Sequence, residues 1–160
     1  MRFSQLVDES RIRSDLPGAD KRSVLVHLAA CLSEALVAIG FEKPGGDATE
    51  ILRLLLEREA IGTTGIGGGI AVPHGRVIGL ERPIGVLCRS VAGVAFGSPD
   101  NLPVRLLVGL LTPYEDNAAH LEALSAVSRF FVRGTAREDL LAAPDSRAMV
   151  QVIFSLERQP

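Results

Sequence analysis

A glycine-rich segment, residues 62–69, divides this chain into parts with different hydrophobic patterns. Before it, apolar residues recur every three or four positions, which is the spacing of an amphipathic helix. After it, short continuous apolar runs separated by turn residues are typical of buried strands, and the helical spacing returns only after residue 115. Helices at both ends and strands in the middle must bury their apolar faces on one another, so the pattern predicts an α/β fold.

Five helices are predicted from the apolar spacing and from the residues that start and stop them. Asp20 and Asp47 each precede a helical stretch and are suitable N-caps. In the third helix Leu121, Leu124, Ser128 and Phe131 recur at helical spacing, and the face that His120 shares with Leu124, Val127 and Phe131 is expected to meet the sheet. The predicted spans are Lys21 to Ile39, Asp47 to about Glu59, 116–133, 137–142 and 146–156.

Three apolar runs are predicted as strands, at residues 70–72, 84–88 and 104–111. A chain of 160 residues fits one domain with one core. We therefore predict a single α/β domain over residues 1–160. Its central sheet is expected to be mixed parallel and antiparallel, with about five strands and helices on both faces.

The composition excludes several classes of function. Aromatic residues make up 4% of the chain, the formal net charge is -2, and Lys and Arg are scattered, so no nucleic-acid-binding surface is expected. The longest apolar run, residues 106–111, is far shorter than the roughly 20 residues that cross a bilayer, so no membrane insertion is expected. Cys31 and Cys88 lie 57 residues apart and no apolar signal region precedes them, so we predict a reducing, cytoplasmic location.

The glycine-rich segment matches neither common nucleotide-binding motif. A dinucleotide fingerprint that starts at Gly65 or Gly67 lacks its third glycine, and the Lys that a P-loop requires is absent from this segment. Two interpretations remain open. The backbone N–H groups of residues 65 and 67–69 could converge into a concave anion site, or the glycines could simply allow positive φ in a tight connection.

His74 is the best candidate for a chemically active residue. It follows a predicted strand directly, and Pro73 keeps the residue before it extended, so we expect the imidazole at the end of that strand and outside the core. At the ordinary pKa of about 6.5, roughly three-quarters of such a ring is neutral at pH 7 and can act as a nucleophile. Gly75 is expected to leave room for the backbone of a partner protein.

The other two histidines differ in their surroundings. His27 lies off the apolar stripe of the first helix and is expected at the surface. His120 lies early in the third helix, on a face that it shares with apolar residues. If the strand before His74 runs parallel to residues 104–111, both histidines leave the same carboxyl edge of the sheet and become neighbours.

Arg58 lies at the end of the second helix, immediately before the glycine-rich segment. Its guanidinium could reach a phosphoryl group there, where a charge pair at about 4 Å is worth roughly 4 kcal/mol before desolvation. It could instead complement the dipole of its own helix. Arg76 is a second candidate cation. No metal or cofactor is expected, because the three His and two Cys residues show no ligand spacing.

The segment around His74 is also distinctive as a whole. Residues 58–76 read Arg-Glu-Ala-Ile-Gly-Thr-Thr-Gly-Ile-Gly-Gly-Gly-Ile-Ala-Val-Pro-His-Gly-Arg. Further segments are Val94-Ala95-Phe96, Asp100-Asn101, Pro103-Val104, His120-Leu121 and Leu124-Ser125. In this order they resemble the IIA components of the bacterial phosphoenolpyruvate-dependent phosphotransferase system, fructose/mannitol class. The resemblance covers about residues 58–131 and is greatest to the nitrogen-regulatory IIA proteins.

This resemblance implies a phosphotransferase component that works through a phosphohistidine intermediate and needs no cofactor. It implies that His74 accepts the phosphoryl group on Nε2 from a small histidine phosphocarrier protein. Arg58 and His120 match the family's active-site arginine and second active-site histidine. Thr64, Gly65 and Gly67 are expected to support the phosphoryl group. We also expect Nδ1 of His74 to bond a backbone carbonyl, which leaves Nε2 for the chemistry.

Three functions follow from this resemblance. The first is a regulator whose phosphorylation state controls target proteins. The second is a sugar-specific IIA that passes the phosphoryl group to a separate IIB component. The third is a regulatory binding module that is not phosphorylated. The intact His74, His120 and Arg58 favour the first two over the third.

Overall fold

The helices of the protein begin and end close to the predicted positions. The computed structural model describes residues 1–158, so the last two residues of the predicted domain lie outside the described part. Asp20, Asp47 and Asp116 cap three helices by accepting the backbone N–H three residues later. The helices are α1 (Lys21–Ala38), α2 (Ala48–Ile61), α3 (Asn117–Val132), α4 (Ala136–Ala142) and α5 (Ser146–Arg158).

The sheet is mixed, as predicted, and has six strands in the order β1-β5-β6-β3-β2, with β4 also paired to β6. The central pair β5 and β6 is antiparallel, whereas β3 and β4 run parallel to β6. The short strands β1, β2 and β4 were not predicted from the sequence. The strands are β1 (Ile12–Arg13), β2 (Gly65–Gly67), β3 (Ile70–Ala71), β4 (His74–Val77), β5 (Ile84–Val94) and β6 (Val104–Pro113).

Strand β6 separates two layers of core. Leu106, Val108 and Leu110 pack into a cluster with residues of α3, α4 and α5. Leu107 and Leu111 point to the other face and pack with residues of α1 and α2. This alternation confirms the prediction of helices on both faces, because a strand covered on both sides directs successive side chains into opposite layers.

The face of α3 that was expected to meet the sheet is only partly the buried one. Leu121 is 65% exposed and Ser128 is also exposed, while Leu124 and Phe131 are only half-buried. Of the residues expected to face the sheet, Val127 is fully buried. The buried residues of α3 are Ala123, Ala126, Val127 and Phe130.

The N-terminal segment closes one end of the core, which the sequence did not indicate. It forms two short 3-10 turns, Phe3–Gln5 and Glu9–Arg11, and then β1. The Phe3 ring stacks on Phe130 of α3 with centroids 4.5 Å apart. Within residues 1–158, none of the helices is long and apolar enough to span a bilayer.

Gly65 is a point at which the packing of the fold can be tested. An added Cβ would lie 2.2 Å from Ser98 Oγ and 3.1 Å from Ser98 Cβ, and Ser98 is buried. We expect Gly65→Ala to lower the free energy of unfolding by about 1–3 kcal/mol because the added methyl group overpacks this contact. Urea denaturation measures the loss.

Gly134→Ala is the matched control, because no heavy atom lies within 4 Å of a Cβ at that position. It should change the free energy of unfolding by less than about 0.5 kcal/mol. Adding Ser98→Gly to Gly65→Ala removes the opposing atoms and should recover part of the loss. Equal effects of the two alanine substitutions would contradict this account of Gly65.

Candidate active site

The fold brings Arg58, His74 and His120 together. Arg58 Nε donates to His74 Nε2 at 3.2 Å, and the two imidazole centroids are 5.5 Å apart. His74 begins β4 and pairs with Leu110 in the parallel β4–β6 register. The chain leaves β6 at Pro113 and turns into α3, so His120 returns to the same edge. The parallel arrangement expected from the sequence is therefore the reason that these side chains meet.

The ring of His74 is held in one orientation by the backbone. Nδ1 lies 2.8 Å from the carbonyl oxygen of Val72. A carbonyl oxygen only accepts hydrogen bonds, so Nδ1 carries the proton and Nε2 carries the lone pair. That lone pair accepts the hydrogen bond from Arg58. The predicted bond between Nδ1 and a backbone carbonyl is thus present, and Nε2 is the nitrogen left for nucleophilic attack.

The electrostatic surroundings keep His74 neutral. Partial burial lowers the pKa of His74, and the Arg58 cation lowers it further. The hydrogen bond to Val72 and the Glu59 carboxylate act in the opposite direction without reversing the shift. Because the pKa of His74 is below the ordinary value of about 6.5, a larger fraction of the ring is neutral at pH 7 than for an ordinary histidine. A neutral ring is the nucleophilic form.

His120 is held in the complementary orientation by Thr112, a residue that sequence reasoning missed. The Thr112 hydroxyl lies 2.8 Å from His120 Nδ1, while its other acceptor, Gly75 O, is 3.5 Å away. Because 3.5 Å is long for a hydroxyl donor, the hydroxyl proton goes to Nδ1. The ring proton of His120 then resides on Nε2. The available signal was a lone polar side chain near the end of an aliphatic strand.

The pKa of His120 is also lowered, first by partial burial and then by its neighbours His74 and Arg76. At neutral pH the ring is therefore uncharged. It offers one N–H donor at Nε2 and no competing positive charge beside Arg58.

Glu59 is a second residue that the sequence did not single out. Its side chain is 7% exposed and forms an ion pair with Lys21 of α1 at 2.6 Å. It also accepts hydrogen bonds from both the backbone N–H and the hydroxyl of Thr64. Thr64 therefore offers neither donor to a ligand in this structure. The Glu59 network fixes the end of α2, from which Arg58 projects, and Arg58 itself also donates to Gly62 O at 2.9 Å.

The glycines form a tight hairpin turn between β2 and β3 instead of an anion cradle. Gly67, Gly68 and Gly69 all have positive φ, at 90°, 64° and 76°. The N–H of Gly68 donates to Asp100 Oδ2 at 2.7 Å, and Gly68 O accepts from Arg137 at 2.7 Å. A carboxylate at this N–H excludes an anion there. Of the two interpretations left open, the structure has the one based on backbone conformation.

The turn is also distant from the reactive ring. Ile70 pairs with Leu106 and His74 pairs with Leu110, so the two positions are four residues apart along β6, or about 13 Å. Gly67 pairs with Ile70 on the side of β3 that faces away from β6. Gly65 faces Ser98. The structure therefore does not bring the turn glycines 67–69 to Nε2 of His74.

Two other expectations are corrected by the packing. A Cβ at Gly75 would lie 3.0 Å from Leu54 Cβ, so this glycine allows α2 to pack on β4 and leaves no room for a partner. Arg76 donates to Tyr114 O at 2.8 Å and lies over the Tyr114 ring, so its side chain is held away from His74.

His27 is exposed on α1, as predicted. Across residues 1–158, no three His, Cys, Asp or Glu side chains are grouped closely enough to hold a metal ion.

Comparison with known proteins agrees with this geometry. Residues 5–155 match the family described as "Phosphoenolpyruvate-dependent sugar phosphotransferase system, EIIA 2". The chain belongs to this family. Membership confirms the resemblance found in the sequence.

Individual members of this IIA family match most of the chain. It is 33% identical to the nitrogen regulatory protein of Pseudomonas aeruginosa over 157 residues, which are 98% of this chain and 97% of that protein. It is 36% identical to the fructose-specific EIIA component of Haloferax volcanii over 107 residues, 67% of this chain and 70% of that protein. The crystal structure of IIA-Ntr from Neisseria meningitidis superimposes with a TM-score of 0.81 at 27% identity, covering 94% of this chain and 97% of that chain.

The contact between Arg58 and His74 gives a direct test of the site's electrostatics. Arg58→Gln removes both the cation and the donor to the Nε2 lone pair, and each of these favours the neutral ring. The pKa of His74 should therefore rise, and an NMR titration of the imidazole measures it. Arg53→Gln, an exposed residue of the same helix, is the control and should leave this pKa unchanged. An unchanged or lower value in Arg58→Gln would contradict the assignment.

The hydroxyl of Thr112 gives a second test. Thr112→Val keeps the shape of this buried side chain but removes the donor to His120 Nδ1, so the Nε2–H form of His120 should lose its preference. Ring nitrogen chemical shifts in nitrogen-15-labelled protein report the tautomer. Thr112→Ser keeps the hydroxyl and should retain the wild-type shifts. Identical shifts in Thr112→Val and wild type would show that Thr112 does not set the tautomer.

Proposed function

We propose that this protein is a phosphohistidine carrier that acts mainly as a regulator. In this proposal His74 accepts a phosphoryl group on Nε2 from a small histidine phosphocarrier protein. The observation that carries the proposal is the pair of hydrogen bonds on the His74 ring: Val72 O fixes the proton on Nδ1, and Arg58 lies against the Nε2 lone pair.

The chemistry needs only groups that this site contains. The Nε2 lone pair of His74 attacks phosphorus and the bond between phosphorus and the donor's ring nitrogen breaks. His74 keeps its proton on Nδ1, so the transfer exchanges one phosphorus–nitrogen bond for another. Such transfers depend on positioning and charge stabilisation. Arg58 moves from the lone pair to the phosphoryl oxygens, and Nε2–H of His120 is a further donor to them.

Similarity over nearly the whole chain to a protein named nitrogen regulatory protein supports the regulatory role. Membership of the IIA family supports the cytoplasmic location that is part of this proposal. The targets would be proteins that distinguish the phosphorylated chain from the free chain, because a new charge of nearly two units beside His74 changes the surface that a partner meets.

A sugar-transport role is the alternative, in which a separate IIB component takes the phosphoryl group. The similarity to a fructose-specific EIIA component supports it, since the same His74 chemistry serves either acceptor. Reconstitution with candidate IIB proteins and membranes separates the two. Sugar phosphate formed in a manner that depends on His74 would replace the regulatory proposal with the transport role.

The central prediction concerns labelling. Incubation with phosphoenolpyruvate, the first enzyme of the system and the phosphocarrier should add one acid-labile, base-stable phosphoryl group. His74→Ala should abolish it, and His27→Ala, on the exposed face of α1, should retain it.

The rate of the transfer should depend on His120: His120→Ala should slow it on the order of a hundredfold, the effect of removing one donor. The transfer rate should change little above pH 6.5 and fall only below it, because protonation occupies the lone pair at a lowered pKa.

Phosphorylation in the His74→Ala variant would overturn the assignment of the acceptor. A mass spectrum of the wild type with no added phosphoryl group, with the donor active on a control acceptor, would favour a binding module that is not phosphorylated. Both outcomes are read from intact mass, so neither depends on the identity of the regulatory target.

A further inference from the structure

The two cysteines of this chain meet in the fold although 57 residues separate them in the sequence. Cys31 lies on α1 and Cys88 lies in β5, and both pack into the apolar layer between α1 and the sheet. The neighbouring thiol is the first influence on the pKa of each cysteine, and neither is in a disulfide. The fold therefore brings two thiols close together that the sequence spacing does not predict as a pair.

An ion pair beside the thiols shows how close the helix and the strands lie. Arg13 of β1 stands opposite Cys88 in the parallel β1–β5 register. Glu34 follows Cys31 by three residues, about one turn of α1. Arg13 Nη2 and Glu34 Oε2 are 2.8 Å apart. The ion pair therefore joins β1 to α1 next to the two cysteines, and the Arg13 guanidinium interacts electrostatically with both sulfurs.

The two thiols are unequal. Cys31 is partly exposed, whereas Cys88 is 0% exposed. The interaction with Cys88 and the Arg13 cation lower the pKa of Cys31 to about 7, although burial and the Glu34 carboxylate act against them. The hydrogen bond to Cys31 and complete burial raise the pKa of Cys88. A partly exposed thiolate beside a cation is the form that reacts with oxidants, and the buried neutral thiol beside it is placed to react second.

We propose that Cys31 and Cys88 are an oxidisable pair that hydrogen peroxide converts into an intramolecular disulfide. The Cys31 thiolate attacks the peroxide, a sulfur–oxygen bond forms, the oxygen–oxygen bond breaks, and Cys31 becomes a sulfenic acid as hydroxide leaves. Cys88 then attacks the sulfur of Cys31, the sulfur–oxygen bond breaks, and the thiol proton leaves with hydroxide as water. Two thiols are oxidised by two electrons in total, and one peroxide is reduced to two waters.

Burial of Cys88 does not prevent this sequence, because only Cys31 meets the oxidant. The disulfide would tie α1 to β5. It would lie on the opposite side of β6 from β4, where His74 is found, so it is separate from the proposed phosphoryl site. The proposal therefore does not depend on the proposed function.

The test uses the reduced full chain and hydrogen peroxide. After treatment, N-ethylmaleimide blocks free thiols, and the intact mass is measured under denaturing conditions. The expected product has lost two hydrogen atoms, carries no maleimide and remains a monomer. A proteolytic digest should contain one peptide pair joined through Cys31 and Cys88. Oxidation of either Met adds oxygen instead and is distinguished by mass.

Variants assign the order of the two steps. Cys88→Ala lacks the second thiol and should accumulate a Cys31 sulfenic acid that dimedone captures. Cys31→Ala should leave Cys88 largely unreactive at the same peroxide concentration. Arg13→Gln should slow oxidation at neutral pH, and the difference should shrink in alkaline buffer, where the Cys31 thiol is ionised without Arg13.

Three results would overturn the proposal. One is wild-type protein that takes up two maleimides after peroxide treatment that fully oxidises a control dithiol. Another is a disulfide found only between chains. The third is equal oxidation of Cys88 in the Cys31→Ala variant. The wild-type measurements need no substitution, so they decide the question even if a variant fails to fold.

Discussion

The rest of the structure depends on the burial of β6, which has a layer of helices on each face and a paired strand along each edge. Every residue of this strand except Arg105 is buried. From Leu106 to Leu111 its side chains alternate between the two apolar clusters, β5 pairs along one edge, and β3 and β4 pair along the other. A strand covered on all sides has one acceptable register, because a slip by one residue would exchange the side chains of the two layers. That register places His74 opposite Leu110 and brings Thr112 beneath His120.

The two histidines of the site acquire different roles from their hydrogen-bond partners. A carbonyl oxygen forces the His74 proton onto Nδ1, which leaves a lone pair on Nε2. The Thr112 hydroxyl, as a donor to His120 Nδ1, places the His120 proton on Nε2. The Nε2 atom of one ring thus carries a lone pair and that of the other a proton, although the residue type is the same. Arg58 lies against the nucleophile, and its charge helps to keep that ring neutral.

The sheet also keeps two kinds of chemistry apart. His74 lies on the β4 side of β6, whereas the Cys31–Cys88 pair lies where β5, β1 and α1 meet. Glu59 and Lys21 connect the end of α2 to the start of α1, so the same helix that carries Cys31 also supports the loop beside Arg58. Both features arise from side chains that are distant in the sequence and are joined only by packing.

The sequence by itself determined the helices with their Asp caps, the two long strands and the α/β class, and it singled out His74, Arg58 and His120 as candidate site residues. These features are written in local spacing, in cap residues and in one continuous segment, and such signals do not need the rest of the chain. The tertiary structure alone decided the short strands β1, β2 and β4, the buried face of α3 and the hairpin use of the glycines. It also decided the contacts that Thr112, Glu59 and Cys88 make with remote residues. In each of these cases the deciding partner is remote in the chain, and no local pattern records which remote groups will satisfy a hydrogen bond, fill a cavity or meet a thiol.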